Sequence, residues 1–374
     1  MRSSTPLASA HAPRRSAPAN ERVSRIPTIV LGGTGYVAGE LLRLISAHPQ
    51  LELAGIMSDG SPGEPVAVAF PHLASVYARE SFKSQAEIEA LLKREQCRRL
   101  LAAAPHGVSA ALIDRLLTVA EQAGNAPRVV DISADFRFAN AHAYEAVYRH
   151  PHGAPDRIAQ FSCALPEHLP TLKTRHVAHP GCLATATLLA AVPLLALGSV
   201  EPQLFVAATT GSTGSGRKPT AGTHHPVRHS DLYAYNALTH RHAPEIAACA
   251  QLATGVAAQV AFVPHSGPFA RGIHATIQAV LRKPLDSAAI TAQLHEYYAQ
   301  APFVRVGEQP PRVKDVVASN YARLSAASDG RTVAVMCAID NLTKGAAGGA
   351  VQWLNRLFGL AEDTGLKAPA AGWT

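Results

Sequence analysis

The chain has 374 residues, of which 47% are hydrophobic and 16% are charged, so it can bury a sizeable core and is not wholly disordered. Its formal net charge of +7 would suit an anionic partner, but aromatic residues make up only 6% of the sequence, which argues against nucleic-acid binding. The longest apolar run, residues 183–197, is shorter than the roughly 20 residues of a bilayer span, so we expect a buried helix there and no membrane insertion.

The first half of the chain alternates between strand and helix patterns. Residues 1–25 are rich in Ser, Pro, Ala and Arg without apolar periodicity, and we expect a disordered tail there, with an organelle transit peptide as the alternative. Order begins with a short β-branched run that ends at a pair of glycines and predicts a buried strand. We predict strands over 26–31, 51–57, 99–103 and 128–132, and helices over 36–47, 87–93 and 109–123. This alternation indicates a parallel, doubly wound sheet.

The pattern changes after about residue 180. A helix is predicted from Cys182, and few helices separate the apolar runs that follow it. We predict strands over 203–209, 259–263, 275–281 and 333–339, and a final helix over 345–358. The second half therefore favours a mixed or antiparallel sheet, and the chain as a whole belongs to the α/β class.

Four glycines, Gly32, Gly33, Gly35 and Gly39, lie between the first predicted strand and the first predicted helix. Glycine permits a tight turn and lets the backbone approach a pyrophosphate, and the following helix N-terminus offers free N–H groups. A dinucleotide site is therefore predicted here, with a purely structural turn as the alternative.

The end of the second predicted strand should select the cofactor. An acidic residue there would bind the ribose of NAD, whereas basic residues would favour the phosphate of NADP. Ser58 suits either cofactor, and Asp59 either favours NAD or begins a turn over residues 59–62. The residues leave this choice open.

One cysteine stands apart from the others. The chain has an odd number of cysteines and no CxxC pair, which argues against a disulfide framework or a zinc site and for a reducing compartment. Cys182 follows a His-Pro-Gly turn at the start of a predicted helix, where the helix dipole is expected to lower the thiol pKa and favour a nucleophilic thiolate. The alternative is a buried cysteine that only packs. The cysteines are Cys97, Cys163, Cys182, Cys249 and Cys337.

Residues 222–246 hold a cluster of histidines with arginines between them. A zinc cluster lacks support because paired cysteines and an HExxH core are missing from this segment. A solvated basic loop is possible, and so is an active-site segment in which one histidine works with Cys182 while the arginines hold an anionic substrate. The histidines are His224, His225, His229, His240 and His242, with Arg228 and Arg241 among them.

Two further segments carry cations beside small residues. Residues 208–218 place glycines and hydroxyl residues before Arg217 and Lys218, which suits a phosphate, although a flexible loop fits equally well. Residues 263–273 add His265 and Arg271. Together with a nucleophilic cysteine and a dinucleotide turn, these anion sites suggest oxidation or reduction at an acyl carbon through a thioester.

The sequence resembles the N-acetyl-γ-glutamyl-phosphate reductase family of arginine biosynthesis, and its close relative in the carrier-protein-linked lysine pathway, from about residue 26 to 353. The motifs that carry the resemblance are GGTGYVAGELLRLISAHP (32–49), DISADFRF (131–138), HPGCLATATLL (179–189), HRHAPEI (240–246), FARGI (269–273), SNYARL (319–324) and DNLTKGAAGGAVQ (340–352).

The resemblance implies a Rossmann-type parallel domain over residues 26–178, completed by 342–374, and a second α/β domain over 179–341 for catalysis and oligomerisation. It implies a cytoplasmic homo-oligomer, a dimer or a tetramer, that uses NADPH to reduce N-acetyl-γ-glutamyl phosphate to the semialdehyde with release of phosphate. The alternative is reduction of an acyl-aminoadipyl phosphate, carried by a carrier protein, in lysine biosynthesis. Residues 63–66 and 223–228 favour that branch, whereas HPGC and Arg217-Lys218 favour the arginine branch.

The resemblance also implies roles for individual residues. Cys182 matches the family's nucleophile and His240 its acid/base, and no metal is expected. Arg271 and Arg217 are expected to bind the substrate. The expected cofactor contacts are Gly32, Gly33, Thr34, Gly35, Ile56, Met57, Ser58 and Asn341.

Overall fold

A computed structural model describes residues 25–94 and 99–372 of the chain. The tail expected over residues 1–25 therefore lies, apart from its last residue, outside the described residues.

The first half of the chain forms a six-stranded sheet in which every neighbouring pair of strands is parallel. Its strands are β1 (Ile26–Leu31), β2 (Leu51–Met57), β3 (Arg99–Ala102), β4 (Arg128–Asp131), β5 (Phe161–Cys163) and β6 (His176–Ala178), in the spatial order β2-β1-β3-β4-β6-β5. The helices of this half are α1 (Tyr36–Ala47), α2 (Val66–Ala69), α3 (Ala74–Tyr77), α4 (Gln85–Lys93), α5 (Ser109–Gln122) and α6 (Ala141–Tyr148). The parallel sheet confirms the fold expected for this half.

The second half forms a mixed sheet of seven strands. Its strands are β7 (Gln203–Thr210), β8 (Tyr233–Ala234), β9 (Gln259–Ser266), β10 (Ile273–Val280), β11 (Val304–Val306), β12 (Ala322–Ser328) and β13 (Thr332–Ile339), in the spatial order β11-β12-β13-β10-β7-β9-β8. Its helices are α7 (Cys182–Ala196), α8 (His225–Arg228), α9 (His242–Thr254), α10 (Ser287–Tyr297) and α11 (Gly348–Leu357). Strand β13 is antiparallel to its neighbours β10 and β12, and β10 is also antiparallel to β7, whereas β7 and β9 are parallel. This mixed sheet confirms the expected second α/β unit.

Helix α11 returns to the first sheet, although it follows the second in sequence. Its Trp353 is fully buried with apolar residues of β1, β3 and α1, and its indole Nε1 donates to the carbonyl of Ala164 at 2.9 Å. A π-helix of five residues, Thr343–Ala347, leads from β13 into this helix, and we refer to it as the π turn. The chain therefore crosses twice between the two sheets, once at Cys182 and once at this turn.

Helices α7, α9 and α10 cover one face of the second sheet. On the opposite face Phe205 is 47% exposed and Val280 is 43% exposed, and Val263 and Thr276 on the same face are partly exposed. No helix within the described residues is long and apolar enough to cross a bilayer.

Candidate active site

A cavity of about 700 Å³ lies between the two sheets. Gly35 and Tyr36 contribute to it from the start of α1, Cys182 from the start of α7, and His240 from the segment before α9. The structure therefore brings the predicted glycine turn, thiol and imidazole to one cleft between the two halves of the chain.

Cys182 is the first residue of α7, directly after Gly181 at the N-cap. Burial raises the pKa of its thiol above the usual value, while the charge of Arg137 and a hydrogen bond from the backbone of Leu183 act in the opposite direction. The start of the helix therefore lowers the pKa of the thiol as expected, through the N–H of Leu183, but burial outweighs it and the net change is a rise.

The turn that precedes Cys182 is held by a buried ion pair. Glu245 on α9 accepts a hydrogen bond from the backbone N–H of Gly181 at 2.6 Å, and its other carboxylate oxygen pairs with Arg137 at 3.1 Å. Arg137 also donates to the carbonyls of His179 at 3.1 Å and Ile132 at 2.8 Å. Side chains from both halves of the chain thus fix the backbone on which the thiol sits.

His240 is buried at the wall of the cavity, and its Nδ1 accepts a hydrogen bond from the backbone N–H of His242 at 3.2 Å. Burial, assisted by the charge of Arg241, lowers the pKa of His240 to about 4. The ring is therefore neutral near pH 7, and because Nδ1 is an acceptor its proton lies on Nε2.

Two more imidazoles line the same cavity. His106 accepts a hydrogen bond from the backbone of Ala134 at 2.9 Å, and burial together with Arg137 and Arg241 lowers its pKa to about 3. Burial also lowers the pKa of His242 well below its usual value. Within the described residues no group of three or more His, Cys, Asp and Glu side chains is placed to hold a metal ion.

The sequence reasoning missed His106 and Arg137 as site residues. His106 follows β3, and Arg137 follows β4. Ligands of parallel α/β sheets bind beyond the carboxyl ends of the strands. Both residues follow a predicted strand of such a sheet, and this feature of the sequence could have identified them.

The two arginines of residues 222–246, Arg228 and Arg241, have different surroundings. Arg241 is exposed in the cavity and packs over the ring of Tyr148 at 5.9 Å. Arg228 is buried and donates to the backbone carbonyls of Asp231, Ser266 and Gly267. Arg241 is therefore free to meet an anion in the cavity, whereas Arg228 braces the loop.

Arg271 does not line the cavity, which corrects its expected role as a substrate ligand. Its guanidinium pairs with Asp340 at 2.9 Å and with Glu40 at 2.6 Å, and it donates to Thr343 at 3.0 Å. Since protein carboxylates already neutralise its charge, Arg271 joins α1 to the end of β13 instead of holding a substrate.

Asn341 and the π turn shape the cavity from the other side. Asn341 accepts from the backbone of Gly272 at 2.7 Å and donates to Thr213 at 3.0 Å, so it ties two loops together at the cavity wall. Gly345 of the π turn lies so close to Cys182 that a Cβ added there would stand 2.7 Å from the Cys182 Cβ. Only glycine fits at this approach.

A second cavity of about 560 Å³ adjoins the first and runs along the glycine turn. Gly32 has a φ of +85°, and a side chain there would collide with the backbone of Ala103, so the turn requires glycine. Five further predicted cofactor residues line this cavity: Gly33, Thr34, Gly35, Met57 and Ser58. The bare backbone at the start of α1 forms a cradle that fits a pyrophosphate.

Ile56 is not among the residues that line the second cavity, so its expected cofactor contact stays a prediction that only backbone atoms could meet. Its side chain is fully buried in the core, and only its backbone faces the strand neighbours. Arg217 lines both cavities, and its guanidinium donates to the carbonyl of Thr34 at 3.1 Å. The structure thus places Arg217 beside the glycine turn and on the wall of the cavity that Cys182 also lines.

Comparison with known proteins agrees with this architecture. Residues 28–161 match the semialdehyde dehydrogenase NAD binding domain, and residues 182–341 match the semialdehyde dehydrogenase dimerisation domain. The N-acetyl-gamma-glutamyl-phosphate reductase of Dehalococcoides mccartyi is 35% identical over 350 residues, covering 91% of this chain and 97% of the relative. The chain belongs to the N-acetyl-gamma-glutamyl-phosphate reductase family. The member from Ectopseudomonas mendocina is 39% identical over 348 residues, covering 91% of this chain and 98% of its own length.

A solved structure outside the N-acetyl-gamma-glutamyl-phosphate reductase family has the same fold. Aspartate semialdehyde dehydrogenase II from Vibrio cholerae superposes with a TM-score of 0.64 over 90% of this chain and 98% of that chain, at 17% sequence identity. The family resemblance noted in the sequence is therefore confirmed, and the fold is also found in a protein outside that family.

Proposed function

We propose that the chain reduces N-acetyl-γ-glutamyl phosphate to N-acetylglutamate 5-semialdehyde with NADPH, releasing phosphate. The observation that carries the proposal is that Cys182, His240 and the start of α1 line one cavity. The relatives described above are named for this substrate, and none is named for an aminoadipyl phosphate. A thiol, a proton donor and a dinucleotide cradle are the groups that reduction of an acyl phosphate requires.

In the first step the Cys182 thiolate attacks the acyl carbon. A carbon–sulfur bond forms, the bond from carbon to the phosphate oxygen breaks, and phosphate leaves to give a thioester on Cys182. Because burial raises the pKa of this thiol, it is largely protonated before the attack, and the departing phosphate oxygen takes up its proton as hydrogen phosphate. Arg241 and Arg217 are the exposed cations of the cavity that would meet the phosphate.

In the second step the thioester is reduced. A nicotinamide cofactor, when bound, supplies the hydride that adds to the thioester carbon. The acyl oxygen, now negatively charged, accepts a hydrogen bond from Nε2 of His240. The carbon–oxygen double bond then re-forms and the carbon–sulfur bond breaks, which releases the aldehyde and a Cys182 thiolate that takes up a proton from water. The backbone N–H groups at the start of α7 would stabilise negative charge on the acyl oxygen.

The cofactor and domain assignments form part of the same proposal. The glycine cradle and Thr34 would hold the pyrophosphate, with Met57 and Ser58 on the adenosine side and Asn341 on the nicotinamide side. We assign residues 26–178 with 342–374 to cofactor binding and 179–341 to catalysis and oligomerisation. The uncovered face of the second sheet, around Phe205 and Val280, is the surface through which two copies would pair.

The reverse reaction tests the proposal. With phosphate present, the protein should reduce NADP⁺ when given N-acetylglutamate 5-semialdehyde, and it should do so poorly with the homologue that is one carbon longer. Reduction should cease when phosphate is omitted, because the thioester then has no acceptor that returns it to an acyl phosphate. Preference for the longer homologue, or a rate independent of phosphate, would overturn the assignment.

A further inference from the structure

The adenosine side of the second cavity has an unusual distribution of charge. Asp59 lies at the end of β2, where a cofactor's ribose would bind, and it is the one acidic residue among the described residues that line this cavity. The cations among the same residues are Arg217 and Lys218, and both belong to the segment that follows β7 of the second sheet. The half of the chain that carries the glycine turn therefore contributes no cation of its own to this lining.

Arg217 and Lys218 are neighbours in sequence, but their surroundings differ. Arg217 lines both cavities, donates through Nη1 to the carbonyl of Thr34, and packs its guanidinium over the ring of Phe70 at 5.5 Å. Lys218 is exposed and lines the second cavity but not the first. It makes no hydrogen bond or ion pair with another residue in the described part of the chain. Its ammonium group is thus available to a ligand.

A phosphate on the 2′ position of the ribose would bring up to two negative charges toward the end of β2. Asp59 would repel such a group, whereas Ser58 can donate a hydrogen bond to it but supplies no charge. A dianion bound here needs a cation, and ammonium groups are common phosphate ligands.

We infer that Lys218, reaching over from the second half of the chain, is the specificity-determining residue that recognises the 2′-phosphate of NADP. This inference rests on the proposed use of NADPH. If Lys218 binds the 2′-phosphate, that phosphate also contacts the segment that lines the catalytic cavity through Thr213 and Arg217. Binding of NADP, unlike binding of NAD, would therefore tie that segment to the first half of the chain.

The test measures binding rather than turnover. Isothermal titration calorimetry compares adenosine 5′-monophosphate with adenosine 2′,5′-bisphosphate, because the two ligands differ only in the 2′-phosphate. The full-length protein, Lys218→Met, Lys218→Arg and a control, Lys173→Met, are each titrated with both ligands. Lys173 is also an exposed lysine, but it lies in a different cavity, so its replacement makes the same change of charge away from the site.

The wild-type protein should prefer the bisphosphate, and Lys218→Met should reduce that preference about tenfold while leaving affinity for the monophosphate unchanged. Lys218→Arg should retain most of the preference, and Lys173→Met should retain all of it. Equal weakening of both ligands in Lys218→Met would place the lysine on the 5′-phosphate and overturn the inference, as would an unchanged preference. Because no acyl phosphate is present, these outcomes are independent of whether the proposed reaction occurs.

Discussion

Arg137 and Glu245 form an ion pair at 3.1 Å, with side chains that are 5% and 0% exposed, directly behind the nucleophile turn. Arg137 follows the fourth strand of the first sheet, and Glu245 lies on a helix of the second half. The pair therefore joins the two halves of the chain at the point where Glu245 also holds the backbone of Gly181.

Glu245→Gln should destabilise the protein by about 3 kcal/mol, because it leaves the Arg137 guanidinium buried without a counter-charge. Urea unfolding followed by circular dichroism measures the change. The matched control is Glu201→Gln, which breaks an exposed pair with Arg282 and should cost under about 1 kcal/mol. Equal losses in the two variants would show that the buried pair has no special structural role.

Gly345→Ala should lower kcat at least tenfold, because the added methyl group would press on the Cβ of Cys182 and displace the thiol. The KM for the cofactor should change less than kcat, since Gly345 does not line the second cavity, in which the adenosine side of the cofactor would bind. Gly307→Ala serves as the control, because no atom lies near the position its methyl group would take. Steady-state kinetics of the two variants make the comparison, and normal turnover in Gly345→Ala would contradict the described approach of the π turn.

The buried pair of Lys344 and Glu167, at 2.5 Å, predicts a pH dependence of stability. Burial alone would raise the pKa of Glu167, but Lys344 and a hydrogen bond from Gln352 outweigh it and lower the pKa from 4.5 to about 2. Because the folded pKa is the lower one, this contribution of roughly 3 kcal/mol is present above pH 4.5 and is lost as the pH falls toward 2.

Unfolding free energies of the wild-type protein and Glu167→Gln, measured from pH 6 to pH 2.5, test this dependence. The difference between them should be largest above pH 4.5 and should shrink steadily below it. A difference that stays constant over this range would mean that the carboxyl group of Glu167 does not titrate as described.

The raised pKa of Cys182 predicts its reactivity in the absence of substrate. Alkylation by iodoacetamide requires the thiolate, so its rate should keep rising beyond pH 8.5, about where an ordinary thiol is half ionised. Peptide mass spectrometry assigns the alkylated residue. A rate that levels off near neutral pH would instead support the activation by the helix dipole that the sequence suggested.

The sequence was most informative where local chemistry determines the structure. The glycines after the first strand and the His-Pro-Gly lead into Cys182 are short-range signals, and both occupy the predicted positions. The strands Phe161–Cys163 and His176–Ala178 were missed because three residues are too few to show a period. The order of strands in each sheet depends on contacts between distant segments, which composition and spacing do not reveal.

Long-range contacts also explain the corrections at the site. The sequence near Arg271 does not reveal its ion-pair partners, because Glu40 and Asp340 lie 231 and 69 residues away. The side chain of Ile56 alternates into the core, although its neighbours Met57 and Ser58 reach the cavity. The expected lowering of the Cys182 pKa considered only the helix, whereas burial depends on the whole fold around it.

The central claim is that Cys182 forms the thioester, and a single-turnover experiment tests it most directly. Wild-type protein is mixed with N-acetyl-γ-glutamyl phosphate without a nicotinamide cofactor, released phosphate is counted, and the trapped protein is examined by mass spectrometry. The proposal predicts a burst of about one phosphate per chain and an acyl group on Cys182, with neither in Cys182→Ala. An acyl group on another residue, or a burst that persists in Cys182→Ala, would contradict it.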